Sequence, residues 1–429
     1  MTLHTAPLIV IGAGQAGLAT ARIARTLGLA PVILEAAGRA AGSWPHYYDS
    51  LTLFSPARRS ALPGLPFPGD PDGYPSRDEV VGYLAGYAAR LDADLRTGHR
   101  VEHVTATRDG DRRMFEVVTT GGETFAAPLV VAATGAFTRP YRPALPGLAE
   151  FTGRVLHSAE YRSPDAFAGQ RVVIVGGGNS AVQIAIELAA HARASLATRH
   201  PLRFMAQRLL GVDMHIWLQR TGLDTASWAR PLLAGGKGTP VFDTGTYRDA
   251  IAAGNPDRRP MFTRLDGDHV VWSDGTRERV DVVLLATGYR PGVDYLAPLG
   301  ALNAAGQPRH RGGVSLTHPG LAYVGLEWQR SFASATLRGV GADARHVLTQ
   351  LRDHTPDSAR TPRSSHHLPN NSAKTVTPGP VADEPAGPEL DGRGESNPGG
   401  APEQLNVDVG DLTVARTPAS GGLPAPDGR

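Results

Sequence analysis

Residues 8–35 read LIVIGAGQAGLATARIARTLGLAPVILE, and this stretch decides the fold. Leu8 to Ile11 is an apolar run of the kind that parallel sheets bury on both faces. Gly12, Gly14 and Gly17 follow in the G-x-G-x-x-G spacing, and an alanine-rich helix is predicted from about Gln15 to Leu27. Small residues at these positions let the backbone turn tightly and approach a pyrophosphate, whose charge the helix N-terminus stabilises. Alone, in a chain with 51 glycines, such a string carries little weight. Here a second strand, Pro31 to Leu34, ends in Glu35, 23 residues after Gly12. A dinucleotide fold places there the carboxylate that accepts hydrogen bonds from a ribose.

The same order recurs at 171–200, RVVIVGGGNSAVQIAIELAAHARASLATRH. Arg171 to Val175 is a strand, Gly176, Gly178 and Ala181 occupy the turn, and Asn179 leads into a helix from Ser180 to Ala190. The next strand, Ala194 to Thr198, ends in Arg199 and His200 where the first unit has its acid. A carboxylate there would repel a 2′-phosphate, whereas a guanidinium forms charge-assisted hydrogen bonds worth roughly 1.5–3 kcal/mol. The first turn therefore reads as an FAD site and the second as an NADPH site.

Each unit continues into short strands punctuated by turn residues. Val101 to Thr107, Phe115 to Thr119 and Thr124 to Ala126 form a predicted antiparallel meander, and Leu129 to Ala133 is a buried strand that runs into Thr134-Gly135. In the second unit a hairpin at Val270 to Thr276 precedes Val280 to Leu285 and Ala286-Thr287-Gly288. The expected fold class is α/β: two Rossmann-type, three-layer ββα dinucleotide-binding domains, the second inserted in the first, each with an antiparallel meander. Residues 1–150 are read as the first part of the FAD-binding domain and 151–292 as the NADPH-binding domain. The latter contains an insert, 201–260, carrying Trp217 and Trp228. Residues 293–353, with a strand around Tyr323 to Gly325 and a helix from about Ser334 to Arg352, complete the FAD-binding domain. From 354 to 429, Pro, Gly, Ser, Asp and Asn dominate, which predicts a disordered tail.

Composition excludes several alternatives. Forty-three Lys and Arg against 41 Asp and Glu give a net charge of +2, which offers no electrostatic case for nucleic acid or an acidic membrane surface. With no cysteine, disulfides, thiolate metal sites and a dithiol relay are absent from this polypeptide. The 15 histidines show no HExxH spacing, so no metal site is expected. No run approaches the roughly 18 apolar residues of a membrane helix, and the N-terminus lacks the pattern of a secretory signal. A cytoplasmic location is the expectation.

Between the two turns stands Phe151-Thr-Gly153-Arg-Val-Leu-His157-Ser-Ala-Glu-Tyr161, which resembles the FxGxxxHxxxY fingerprint of the flavin-containing monooxygenases. Gly42-Ser43-Trp44 resembles that family's GxW flavin loop, and Ser50-Leu51 with Leu65-Pro66-Phe67-Pro68 resembles its early active-site stretch. Ala286 to Tyr289 resembles its ATGY strand end. The resemblance spans about residues 7–350 and is strongest to the shorter bacterial flavoprotein monooxygenases, including those found in arsenic-resistance operons. It implies a cycle in which NADPH reduces FAD, the reduced flavin forms a C4a-hydroperoxide with oxygen, and a small substrate takes one oxygen atom at a soft S, N or As centre or at a carbonyl. It implies molecular oxygen and a small molecule as partners, and it allows a homodimer.

The resemblance places Gly12, Gly14, Gln15, Gly17, Glu35, Gly42, Ser43, Trp44, Ala133, Thr134, Gly135 and Arg338 at FAD. It places Gly176, Gly178, Asn179, Ser180, Arg199, His200, Ala286, Thr287 and Gly288 at NADPH. Candidates for the reacting face are Ser55, Phe54 and Arg338. Phe54 stands where members that oxygenate amines and sulfides usually carry asparagine, which argues against amine oxygenation. Tyr161 stands where Baeyer–Villiger relatives carry tryptophan, which argues against ketone insertion. His157 and Tyr161 are expected to brace the domain junction. Two other readings stay open: an NADPH-dependent flavin reductase or diaphorase serving a separate acceptor, and a redox-sensing flavin-binding protein.

Overall fold

Every side chain of the strand β1 (Leu8–Ile11) is buried, because a layer covers each face of its sheet. Leu8 and Val10 belong to a core shared with the helix α1 (Gln15–Thr26), and Ile9 and Ile11 to a core shared with an antiparallel meander. The computed structural model describes residues 3–233, 240–243 and 245–352. Within these, β1 and α1 are followed by β2 (Pro31–Leu34), α2 (Arg77–Ala89) and β3 (Asp94–Arg96). The meander β4 (Val101–Asp109), β5 (Arg112–Thr119) and β6 (Thr124–Ala127) then leads to β7 (Val130–Ala132). β3, β2, β1 and β7 pair in parallel register, with Ile9 opposite both Val32 and Val130.

The second unit repeats this construction. β8 (Arg154–His157), β9 (Arg171–Val175), α3 (Asn179–Ala189), β10 (Arg193–Thr198) and, beyond the helix α4 (Met214–Arg220), β11 (Asp257–Pro260) come first. A second meander, β12 (Arg264–Asp266), β13 (His269–Val271) and β14 (Arg277–Arg279), precedes β15 (Val282–Leu285). The sheet order is β8-β15-β9-β10-β11, parallel throughout. Alternation again divides the core: Val172 and Ile174 pack with the α3 side, and Val173 and Val175 pack with Leu265, Val270 and Trp272 of the meander.

The chain then returns to the first sheet through β16 (His310–Arg311), β17 (Val314–Ser315) and β18 (Leu321–Tyr323). β18 lies parallel to β7 and completes a seven-stranded sheet. The final helix α5 (Leu337–Arg352) buries Val340, Ala344, Val347 and Leu348 in the same core as α1. The α/β class with two three-layer nucleotide-binding units is what the sequence predicts.

Several details differ from that prediction. The expected hairpin at Val270 to Thr276 is the centre of a three-stranded meander, with residues 272–276 forming its turn. The last strand falls two residues early, because Gly325 takes a left-handed φ of 92° and ends the extended run. α5 begins at Leu337, three residues after the expected start at Ser334. α2 and β3 were not anticipated, although Ser76 and Glu79 form the capping box that opens α2 and are readable as S-x-x-E. The expected disordered tail, 354–429, lies outside the described residues.

The approach of α1 to its turn is the tightest element of this design. A Cβ on Gly17 would stand 1.8 Å from the Gly12 carbonyl oxygen. Gly178, by contrast, has nothing within 4 Å of a built Cβ. Gly17→Ala is therefore expected to lower the urea midpoint by an overpacking cost of about 1–3 kcal/mol or more. Gly178→Ala is expected to cost under about 1 kcal/mol. Equal midpoints for the two variants would refute this account of the turn.

Candidate nucleotide and substrate cleft

Both glycine turns press against the carbonyl that ends a neighbouring strand. Gly12 has φ 104°, and a Cβ there would sit 2.9 Å from the Ala133 oxygen. Gly176 has φ 147°, and its Cβ would sit 2.3 Å from the Ala286 oxygen. A third backbone segment joins the first turn, since a Cβ on Gly42 would meet the Gly14 Cα at 2.8 Å. Such approaches leave backbone at the turn surface with no side chain over it, which is the form a pyrophosphate requires. One cleft of about 1090 Å³ is lined by both turns.

On the first side the cleft is lined by Gly12, Gly14, Gln15, Glu35 and the loop Gly42, Ser43 and Trp44. Ala133, Thr134 and Gly135 line it as well. Glu35 is 6% exposed and accepts the Ala13 N–H at 2.6 Å and the Ala37 N–H at 2.8 Å, one on each oxygen. An ionised carboxylate has about four acceptor sites, so capacity for ribose hydroxyls remains. The Gln15 amide donates to the Ala335 carbonyl at 2.6 Å and accepts from Trp44 Nε1 at 2.9 Å. It thereby clamps the Trp44 loop to the segment that opens α5. Gly17 does not line the cleft, and its place in the pattern is packing.

On the second side the cleft is lined by Gly176, Gly178, Asn179 and Ser180, and by Ala286, Thr287 and Gly288. Arg199 and His200, both exposed, stand at the end of β10 and line it too. Asn179 Oδ1 accepts the Phe242 N–H at 3.0 Å and ties this turn to the insert.

None of the fingerprint side chains reaches the cleft. Phe151 is in the core beneath the second meander, and a Cβ on Gly153 would strike its ring at 2.5 Å. His157 is fully buried, with Nε2 3.0 Å from the Gly288 oxygen and Nδ1 accepting the Ala159 N–H at 3.1 Å. Burial pushes its pKa below the ordinary value; since Nδ1 accepts a backbone N–H, Nε2 is the nitrogen that donates to the Gly288 carbonyl. Tyr161 donates to Glu187 at 2.7 Å.

The insert supplies what sequence reasoning missed. Phe54 and Ser55 line the cleft, and the Ser55 hydroxyl shares a 2.9 Å hydrogen bond with Ser60. The Phe54 ring lies against Phe242 at 5.2 Å and His215 at 5.7 Å between centroids. His215 is fully buried and bonds Asp213 through Nδ1 at 3.0 Å. Asp213 also accepts the His215 N–H, the Tyr74 hydroxyl and the Gln207 amide. Burial works to raise the Asp213 pKa, but the bonds from His215, Tyr74 and Gln207 outweigh it and hold the carboxyl at about 2. Burial pushes His215 below its ordinary value, against the pull of Asp213.

Arg338 is not where it was expected. It does not line the cleft; its Nε donates to Asp224 at 3.4 Å in the buried space between α5 and the insert. Phe332 covers it, with the guanidinium carbon 6.0 Å from the ring centroid. No signal marks Asp213, His215 or Asp224 in the sequence, because their meaning comes from contacts with Tyr74 and Arg338, far away in the chain. Among the described residues no group of histidines and acids could hold a metal ion, and no helix is long and apolar enough to cross a membrane.

Comparison with known proteins assigns the family. The profile of the family described as pyridine nucleotide-disulphide oxidoreductase matches residues 9–218. An uncharacterized CzcO-like oxidoreductase from Geobacillus kaustophilus is 31% identical over 355 residues, covering 82% of this chain and 99% of the relative. Indole-3-pyruvate monooxygenase YUCCA4 from Oryza sativa is 31% identical over 390 residues, covering 80% and 86%. The solved flavin-containing monooxygenase from Stenotrophomonas maltophilia is 33% identical, with a TM-score of 0.72 over 82% of this chain and all of that one. The chain belongs to the flavin monooxygenases. Flavin monooxygenases of this kind use FAD and NADPH, and the chain is an NADPH-dependent flavoprotein oxidoreductase.

The depressed pKa of His215 gives a pH test. Its folded pKa is depressed, so below about 6.5 the unfolded chain binds a proton that the folded chain refuses, and stability falls as pH drops. Wild type is expected to lose stability relative to His215→Gln between about pH 7.5 and about pH 5.5, by up to about 1.4 kcal/mol per pH unit. Parallel urea midpoints for the two proteins across this range would show that the imidazole titrates freely.

Proposed function

We propose that this flavin monooxygenase holds FAD against the first turn and NADPH against the second, and delivers one atom of molecular oxygen to a small substrate. The acceptor atom is a soft S, N or As centre or a carbonyl; the second oxygen atom leaves as water at the expense of NADPH. The observation that supports this reading is the single cleft shared by both turns, which lets a nicotinamide and a flavin meet without a relay. With no cysteine in the chain, electrons have no dithiol to pass through. Bound FAD would accept the hydride and activate oxygen, so the protein's own work is to bind, orient and exclude water. Glu35 would hold the ribose of FAD, Gln15 and Trp44 would fix the wall beside it, and Arg199 with His200 would select the 2′-phosphate.

Labelled dioxygen tests the reaction. With NADPH and a panel of thioethers, trivalent arsenicals and ketones, label is expected in an organic or arsenical product at near-stoichiometric NADPH use. Dye reduction with no labelled product from any class would assign the chain to the reductases instead. Arg199→Ala is expected to lower kcat/KM for NADPH tenfold or more while leaving NADH nearly unchanged, the loss of a charge-assisted pair of roughly 1.5 kcal/mol or more. An unaltered NADPH to NADH ratio would remove Arg199 from the phosphate site.

A further inference from the structure

The loop that continues from Gly42, Ser43 and Trp44 is bonded to both nucleotide-binding units at once. Toward the first unit, Trp44 Nε1 donates to Gln15 at 2.9 Å, and Arg77, the first residue of α2, donates to the Tyr47 carbonyl at 2.8 Å and pairs with Asp49. Toward the second unit, Arg162, one residue beyond the fingerprint, donates to the same Tyr47 carbonyl at 2.8 Å. The Asp49 N–H donates in return to the Arg162 carbonyl at 2.9 Å. One carbonyl oxygen thus takes an arginine from each unit, which uses both of its lone pairs.

The next residues of the loop reach α3. Tyr48 donates to Gln183 Oε1, and the Ser50 hydroxyl donates to Glu187 Oε2 at 2.9 Å. That Glu187 oxygen also accepts the Tyr161 hydroxyl at 2.7 Å. Tyr48 is buried, and although it belongs to the loop of the first unit it packs in the core of the second, with Leu51 against that core and the Tyr161 ring 6.1 Å away. Burial raises the Tyr48 pKa against the pull of the Ser180 hydroxyl, so the phenol keeps its proton and donates. Gln183 and Glu187 stand four residues apart on one face of α3, and α3 starts at Asn179, in the turn read as the NADPH site. We propose that Gln183 and Glu187 are positioning residues for the reductive step, in which NADPH becomes NADP+ and FAD gains the same two electrons and hydrogen. Held by Tyr48 and Ser50, they fix α3, and with it the second turn, at one angle to the wall that Gln15 and Trp44 build beside the first. Binding at either turn does not require that angle, but transfer between two rings does, since a misplacement of about 1 Å can cost on the order of a hundredfold in rate.

This role rests on the assignment of FAD and NADPH to the two turns, and the experiment separates the two claims. Tyr48→Phe with Ser50→Ala removes both loop hydroxyls and leaves Tyr161 on Glu187, so the acid keeps a partner. Because the chain has no cysteine, Thr120→Cys and His191→Cys, at two exposed positions, place one spin label beside the meander of the first unit and one just past α3. The labelled parent is expected to give a single narrow interlabel distance, and the double variant a shifted or broadened one. In stopped flow the limiting rate of flavin reduction by NADPH is expected to fall at least tenfold in the double variant, with the Kd for NADPH and the rate of reduction by dithionite nearly unchanged. Glu187→Gln, whose amide oxygen still accepts, is expected to stay near the parent rate. A limiting rate that the double variant leaves intact would overturn the proposal, as would a loss confined to Kd or a slower rate at an unaltered interlabel distance. If the double variant cannot be purified, Ser50→Ala alone, at an exposed side chain, is held to the same criteria with a smaller fall. If NADPH fails to reduce the flavin of the parent, the cofactor assignment falls instead, and the distance measurement, which needs no NADPH, still decides whether these bonds hold α3 in place.

Discussion

The architecture depends on two places where backbone touches backbone with no side chain between. At Gly12 against Ala133, and again at Gly176 against Ala286, the turn that ends one strand is pressed onto the end of its neighbour. This contact sets the depth of the turn, and the depth decides where the helix that follows can begin. At the first turn the helix comes so close that Gly17 and the Gly12 carbonyl share the space of a single methyl group. Polar backbone is thereby brought to the floor of a cleft whose surroundings are otherwise apolar strands, which is how an anion is held without burying a lysine or arginine beside it.

Electrostatics are divided within the cleft. The first side presents a carboxylate, Glu35, and the second presents Arg199 and His200, so side chains of opposite charge type face the cleft beside the two turns. A third polar zone, built by the insert and α5, is sealed behind aromatic rings rather than open to the cleft. Asp213 is fully satisfied there, while Arg338 is not. The contrast is one of satisfaction: a buried acid with all its bonds made fixes the insert's position, while the guanidinium beside it keeps donors without acceptors.

The fold was legible because its information is local. Two four- or five-residue apolar runs, each followed by glycines at fixed spacing, contain the strand, the turn and the helix start within about 30 residues. The positions lining both turns were legible for the same reason. The sequence places Arg338 at the cofactor, whereas it packs behind the cleft against Asp224, 114 residues earlier in a segment without a periodic pattern. Asp213 and His215 were invisible: an acid two residues before a histidine is common in any loop, and only Tyr74, from 139 residues away, makes the pair a fixed unit. α2 was overlooked for a different reason. Its buried residues Val80, Tyr83, Leu84 and Tyr87 do fall at the i, i+3, i+4, i+7 spacing of one face, but Val81, Ala85, Ala88 and Ala89 add apolar residues around the rest of the helix and blur the period.

The return of β18 to the side of β7 has a consequence for how the molecule is made. Its partner strand is synthesised about 190 residues later, so the first sheet lacks an edge, and α1 lacks its α5 neighbour, until almost the whole chain has left the ribosome. The five-stranded sheet has no such debt, because β8 through β15 are contiguous in the chain. Nascent chains should thus contain a finished inner unit carried by an unfinished outer one. During that interval β7 presents an edge of unpaired backbone N–H and C=O groups.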